Sequence, residues 1–142
     1  LGRAGTHFGG AMKAFLVDLE NKPGELARVT EAIAAKGINL EGVSGTNCGT
    51  SGRLVIVTKD DAGTRSALGD AKFSFKEVEA TETSVRHAPG GLAKAARRLA
   101  DAGINIEAIF PTGMQAQDVT VAFVTDQPAK AKEVLAASAV KS

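Results

Sequence analysis

Residues 23–43, PGELARVTEAIAAKGINLEGV, return 66 positions later as residues 89–109, PGGLAKAARRLADAGINIEAI. Nine of the 21 aligned pairs are identical, and Ile33/Leu99, Leu40/Ile106 and Val43/Ile109 keep their apolar character. Helical composition alone does not hold proline, glycine and Asn39/Asn105 in register, so the chain is a duplication, and a repeat sets the frame for every other reading. Within each copy, Pro-Gly makes a turn into a helix. Proline is tolerated in a first turn because its missing N–H has no intrahelical partner there. Leu26, Val29 and Ile33 recur at helical spacing, and Gly37 is a left-handed stop.

Outward from the helix, Lys13 to Leu19 alternates Phe15, Val17 and Leu19 on one side, as a strand does. Ile38 to Val43 and Leu54 to Thr58 are predicted as the second and third strands, with GTNCGTSG as a hairpin loop. A short helix over Ala62 to Gly69 and a fourth strand over Phe73 to Val78 close the first copy. The second copy predicts a polar first strand over Ala80 to Arg86 and a helix from Pro89 to Ala102. Strands near Ile104 to Phe110 and Val119 to Thr125 follow, then a helix from Pro128 to Ala137. Only AVKS remains for a fourth strand, which is therefore short or missing. The expected fold is α+β: two tandem βαββαβ modules with antiparallel sheets and helices on one face. The expected modules are residues 12–78 and 79–142. Residues 1–11, LGRAGTHFGGA, lack an apolar period and are expected to be a disordered or introduced leader.

Composition narrows the function. The chain has 142 residues with 17 basic against 16 acidic side chains, a balance that gives nucleic acid or an anionic membrane no electrostatic handle. Aromatic residues are 4% with no Trp or Tyr, so an RNA-binding sheet lacks its stacking platform. Cys48 is the single cysteine, which excludes an intramolecular disulfide and a paired-cysteine metal loop. Nothing approaches the roughly 20 apolar residues of a membrane span. The expected setting is cytoplasmic. Two histidines, one of them in the leader, offer no nucleophile–histidine–carboxylate set, and no catalytic residue, metal or cofactor is expected. The glycines of GVSGTNCGTSG match no phosphate-binding loop.

The repeated loop is the candidate site. Backbone N–H groups point out of a helix start, where the dipole favours negative charge, and a glycine lets a ligand approach the backbone. Asn21, Pro23 and Gly24 shape this place in the first copy, and Asn21 and Asn39 supply amides and carbonyls suited to the two ends of an amino acid. His87, Pro89, Gly90, Gly91, Leu92 and Asn105 stand at the corresponding positions of the second copy.

NKPGELARVTEAIAAKGINLEGV and APGGLAKAARRLADAGINIEAI resemble the ACT domain, a regulatory module of amino-acid-metabolising enzymes that also occurs as stand-alone pairs. The resemblance implies a ferredoxin-like fold, paired domains, and an effector held between the first loop and helix of one module and the second strand of another. By position it adds Glu25 and Leu26 to Asn21, Gly24 and Asn39. His87 stands where Asn or Asp is usual, which favours the first site. The function expected is binding of an amino acid or related carboxylate effector for regulation, by a homodimer that acts on a metabolic enzyme partner. The alternative is a ligand-free dimerisation subunit of such an enzyme.

Overall fold

The structure, a computed structural model, describes residues 11–140. Its element order is β1 (Ala11–Glu20), α1 (Glu25–Ala34), β2 (Leu40–Cys48), β3 (Ser51–Thr58), α2 (Asp61–Asp70), β4 (Ser74–Arg86), α3 (Gly91–Asp101), β5 (Ile106–Gln115), β6 (Asp118–Thr125) and α4 (Pro128–Val140). Two compact units are present, Lys13–Val78 and one containing Glu79–Ser142.

In the first unit the strand order is β2-β3-β1-β4. Phe15 lies opposite Ile56, and Ile56 opposite Val43, so one row of side chains crosses three strands on the same face. That face packs under the helices. Phe15, Val17, Leu54 and Ile56 from the strands meet Val29 and Ile33 from α1 and Leu68 from α2. Each such side chain contributes about 1.5–3 kcal/mol by leaving water. Gly37, at φ +73°, ends the first helical segment, with Gly37 N–H donating to Ala34 O at 2.9 Å.

The second unit repeats this plan with the order β4-β6-β5. Ala95 and Leu99 of α3 stand where Val29 and Ile33 do, and pack on Val121, Phe123, Ala131 and Leu135. The 66-residue offset holds at the first residues of β2 and β5 but becomes 67 at their ends, Cys48 and Gln115. The additional residue is absorbed where the β5–β6 register shifts between Pro111 and Gly113, a bulge within an edge strand. Thr112 sits in this bulge and donates its hydroxyl to the buried carboxylate of Glu82.

Several boundaries differ from expectation. The stretch read as a hairpin loop, GTNCGTSG, is almost all strand, and only Gly49 and Thr50 make the turn. Gly45 and Gly52 do not break the strands; they are sites where a Cβ would meet Leu54 Cδ1 at 2.9 Å and Asn47 Oδ1 at 1.9 Å. The two strands expected on either side of Glu79 are one strand of 13 residues, because no turn residue interrupts them. Ala11, assigned to the leader, opens β1; the rest of the leader lies outside the described residues. Helix α4 runs on to Val140, into the segment considered for a last strand, and among the described residues no strand follows it.

Candidate functional site

The loop from β1 to α1 is shaped by Gly24, which takes φ +91° at the N-cap. Such a φ strains any residue with a Cβ. No side chain caps this helix start, although Arg28 N–H reaches Gly24 O at 2.9 Å and begins the helical ladder. Beside the loop is a cleft of about 480 Å³, lined by Gly24, Glu25, Leu26 and Ala27 of the helix start, by Leu19, Glu20 and Lys22 before it, by residues 43–47 of β2, and by Arg53 and Leu54 of β3. One wall of the cleft is thus the edge strand of the sheet, β2. Leu26 at 55% exposure and Val43 at 46% supply apolar wall.

Four charged residues line this cleft. Lys22 pairs with Glu20 at 3.2 Å, and Arg53 pairs with Asp18 at 2.9 Å. Glu25 differs from these surface pairs in being only 7% exposed. Its Oε1 accepts from Glu20 N–H at 3.4 Å, and Arg28 approaches its two oxygens at 3.4 and 3.5 Å. The hydrogen bond from Arg28 holds the Glu25 carboxyl below the usual glutamate value; burial opposes this and the Glu20 N–H reinforces it. Arg28 is itself positioned from behind, its guanidinium 4.0 Å from the Phe73 ring centroid.

Among the residues expected at this site, Gly24, Glu25 and Leu26 come together at the cleft. Pro23 shapes the exposed turn before them. Asn21 serves the loop: its amide donates to Gly49 O at 2.9 Å and its N–H to Thr50 O at 2.9 Å. Asn39 is not brought to this site. It lies past the far end of α1, whose ten residues span about 15 Å. Residues 43–47 and Arg53 were missed by the sequence reading, which placed Gly45, Thr46 and Asn47 in a loop. The second strand that lines this cleft is the unit's own β2.

At the second helix start, Gly90 repeats the N-cap conformation at φ +89°. Gly91, the counterpart of Glu25, donates its N–H to Ala88 O at 3.0 Å, and a Cβ there would lie 2.0 Å from Arg86 O. The backbone thus occupies the space that a side chain takes in the first unit. His87 is exposed and donates its backbone N–H to Gln117 O at 2.7 Å, matching the Asn21–Thr50 bond. Pro89 lies in the exposed turn, and Leu92 is 46% exposed on α3. Asn105, like Asn39, is beyond the far end of its helix, where its N–H donates to Asp126 Oδ1 at 2.9 Å.

Among the described residues no helix is long and apolar enough to cross a membrane, and no three His, Cys, Asp or Glu side chains converge as metal ligands.

Residues 11–141 match a family described as ACT domain pair. Among solved structures, the chain is similar to protein BT0572 from Bacteroides thetaiotaomicron, at 28% identity and a TM-score of 0.79 over 90% of this chain and 88% of that one. It shares its fold with the ligand-free regulatory subunit of aspartate kinase from Thermus thermophilus, at 21% identity and a TM-score of 0.62 over 89% and 91% of the two chains. The corresponding Thermus flavus subunit aligns at 20% identity and 0.61, again over 89% and 91%. No curated protein matches the chain.

Proposed function

Because the chain belongs to the ACT domain pair family, matched over residues 11–141, we propose that it is a cytoplasmic regulatory module, two ferredoxin-like units in tandem, that binds an amino acid or a related small carboxylate. The observation that carries this reading is the cleft of about 480 Å³ beside the uncapped start of α1. Its volume falls within the range of small-molecule sites, and its apolar walls with a few converging polar groups are the usual composition of such sites. Free amide hydrogens at the first turn suit a carboxylate, and Leu26 and Val43 suit an aliphatic portion. The fold shared with aspartate kinase regulatory subunits supports regulation as the class of role. Binding acts by changing how domains pair, which passes the signal to a separate metabolic enzyme partner, and no reaction is assigned to this chain.

The second reading, a ligand-free dimerisation subunit, draws on one specific observation. Leu26 and Val43 are exposed in the first unit, and Leu92 and Ile109, at 46% and 42%, are exposed at the equivalent positions of the second. Repeated apolar patches of this kind suit association with a second copy or a partner enzyme.

A thermal-shift screen over the common amino acids separates the two readings. A real effector at one hundred times its dissociation constant adds about 2.7 kcal/mol and raises the melting temperature. Flat melting curves across the whole panel overturn the sensor and leave the dimerisation reading, for which sedimentation must then show a dimer.

A further inference from the structure

We propose that the bulge in β5 closes the edge of the second unit to a strand from a second copy of this chain, and that Glu82 is the positioning residue that holds the bulge. The inference concerns assembly and is independent of what the first cleft binds.

A duplicated sheet module carries a hazard that a single one lacks. Among the described residues, β2 and β5 are the strands with a neighbour on one side only, one in each unit. An open edge presents unpaired N–H and C=O groups to any further strand. Two equivalent edges on one chain would let each copy join two others, and head-to-tail contacts of that kind grow as open fibres unless the rotation closes a ring. The edges are not equivalent here. From Gly42 to Cys48, β2 runs regularly against Val57 to Ser51, one residue to one residue. In β5 the same ladder breaks between Pro111, opposite Val121, and Gly113, opposite Thr120. Thr112, between them, is the residue with no counterpart in β2. The extra residue upsets the alternation of hydrogen-bonding groups that an incoming strand must match, and it bends the strand. Pro111 stands where β2 has Gly45, and it has no N–H to donate.

The residues around the insertion differ together with it. Glu82 lies opposite Ala122 and Ala122 opposite Phe110, a row on the sheet face away from Val121 and Phe123 of the helix-side core. At the matching positions of the first unit the row reads Leu16, Val55 and Ser44. The second unit thus has a carboxylate in place of leucine and an alanine in place of valine. The small Ala122 leaves Glu82 room to reach across β6, where it accepts from the Thr112 hydroxyl while only 7% exposed. A carboxylate withdrawn from water needs such a donor, and the inserted threonine supplies it. Acceptor, crossing space and inserted donor occur together in the unit with the bulge, and the unit without it has none of the three.

The experiment compares sedimentation of the full chain over a concentration series with that of a variant carrying Glu82→Leu, Pro111→Gly, Ala122→Val and a deletion of Thr112. These changes give the second unit the residues of the first. The parent should reach a finite assembly, whereas the folded variant should have a weight-average mass at least about twofold larger that keeps rising, as an open-ended contact requires. Amide exchange in Ile106–Gln115 should slow in the larger species. Two single variants carry the test if the multiple variant does not fold. Glu82→Leu frees Thr112 and should enlarge the assembly, while Glu82→Gln, whose carbonyl still accepts from the hydroxyl, should sediment as the parent. A folded multiple variant that sediments as the parent overturns the closure of this edge, and so does open-ended growth of the parent itself. Larger species with unchanged exchange in β5 overturn its location there. The same behaviour of Glu82→Leu and Glu82→Gln overturns the role of Glu82.

Discussion

Asn47 Nδ2 donates to Asn21 Oδ1 at 2.8 Å, a bond that ties the loop before α1 to edge strand β2 across the mouth of the cleft. Asn21 passes the link onward to Gly49 O in the adjoining turn. Asn47→Ala removes the link at an exposed position and should cost about 0.5–1.5 kcal/mol in urea unfolding. Its larger effect should be on ligand affinity, because the loop that presents Gly24 loses one of the bonds that fix it. Unchanged affinity in calorimetry would show that the remaining bonds from Asn21 to Gly49 O and Thr50 O suffice to hold the loop.

Filling the cleft tests its position. Val43 is half exposed on the edge strand, so Val43→Arg should change stability by no more than about 0.5 kcal/mol. The long side chain lies under the first turn of α1 and should abolish the thermal shift produced by any amino acid that stabilises the parent protein. A retained shift would move the ligand elsewhere.

The two helix starts should respond differently to the smallest side chain. Gly24→Ala meets no atom within 4 Å but adopts φ +91°, so its cost is conformational, about 1–2 kcal/mol, and Gly24→Asn should cost less. Gly91→Ala collides with Arg86 O instead, a displacement that should cost about 1–3 kcal/mol and that asparagine at 91 should worsen. Equilibrium unfolding of the four variants discriminates strain from collision by the sign of the Ala-to-Asn difference.

Acid should weaken the first unit through two carboxylates. Glu77 is lowered from its ordinary value of 4.5 mainly by the hydrogen bond from Arg65, and Glu25 is lowered mainly by Arg28. A depressed folded-state value means that the stabilisation is complete above the unfolded value and disappears as pH falls through the folded one. The melting temperature of Glu77→Gln should therefore lie under that of the parent at pH 7 and approach it as pH falls below the ordinary value of 4.5 and on through the lowered folded-state one. A gap between the two that stays constant from pH 7 to pH 3 would exclude the linkage.

The duplication made much of the fold legible in the sequence. Pro23-Gly24 and Pro89-Gly90 marked both helix starts, Gly37 and Gly103 both stops, and Val29/Ile33 against Ala95/Leu99 the buried stripe. What misled was glycine in the β2–β3 hairpin. A missing side chain signals a turn when the backbone needs a positive φ, as at Gly49, but signals crowding when a neighbour claims the space, as at Gly45 and Gly52. Composition does not separate these cases, because the claimant comes from strand pairing. The same misreading hid residues 45–47 from the candidate site. Asn39 failed to join it for a geometric reason: the motif is contiguous in sequence, but a helix separates its two ends. Glu25 enters the site from the sequence only through the family resemblance; its pairing with Arg28, which is stacked on Phe73 45 residues away in the chain, depends on tertiary contacts that no local pattern displays.

The unbroken strand β4 has a practical outcome for anyone wishing to dissect the duplication. Val78 and Glu79 are consecutive residues of that one strand, so a gene divided at this codon boundary cuts through secondary structure instead of through a linker.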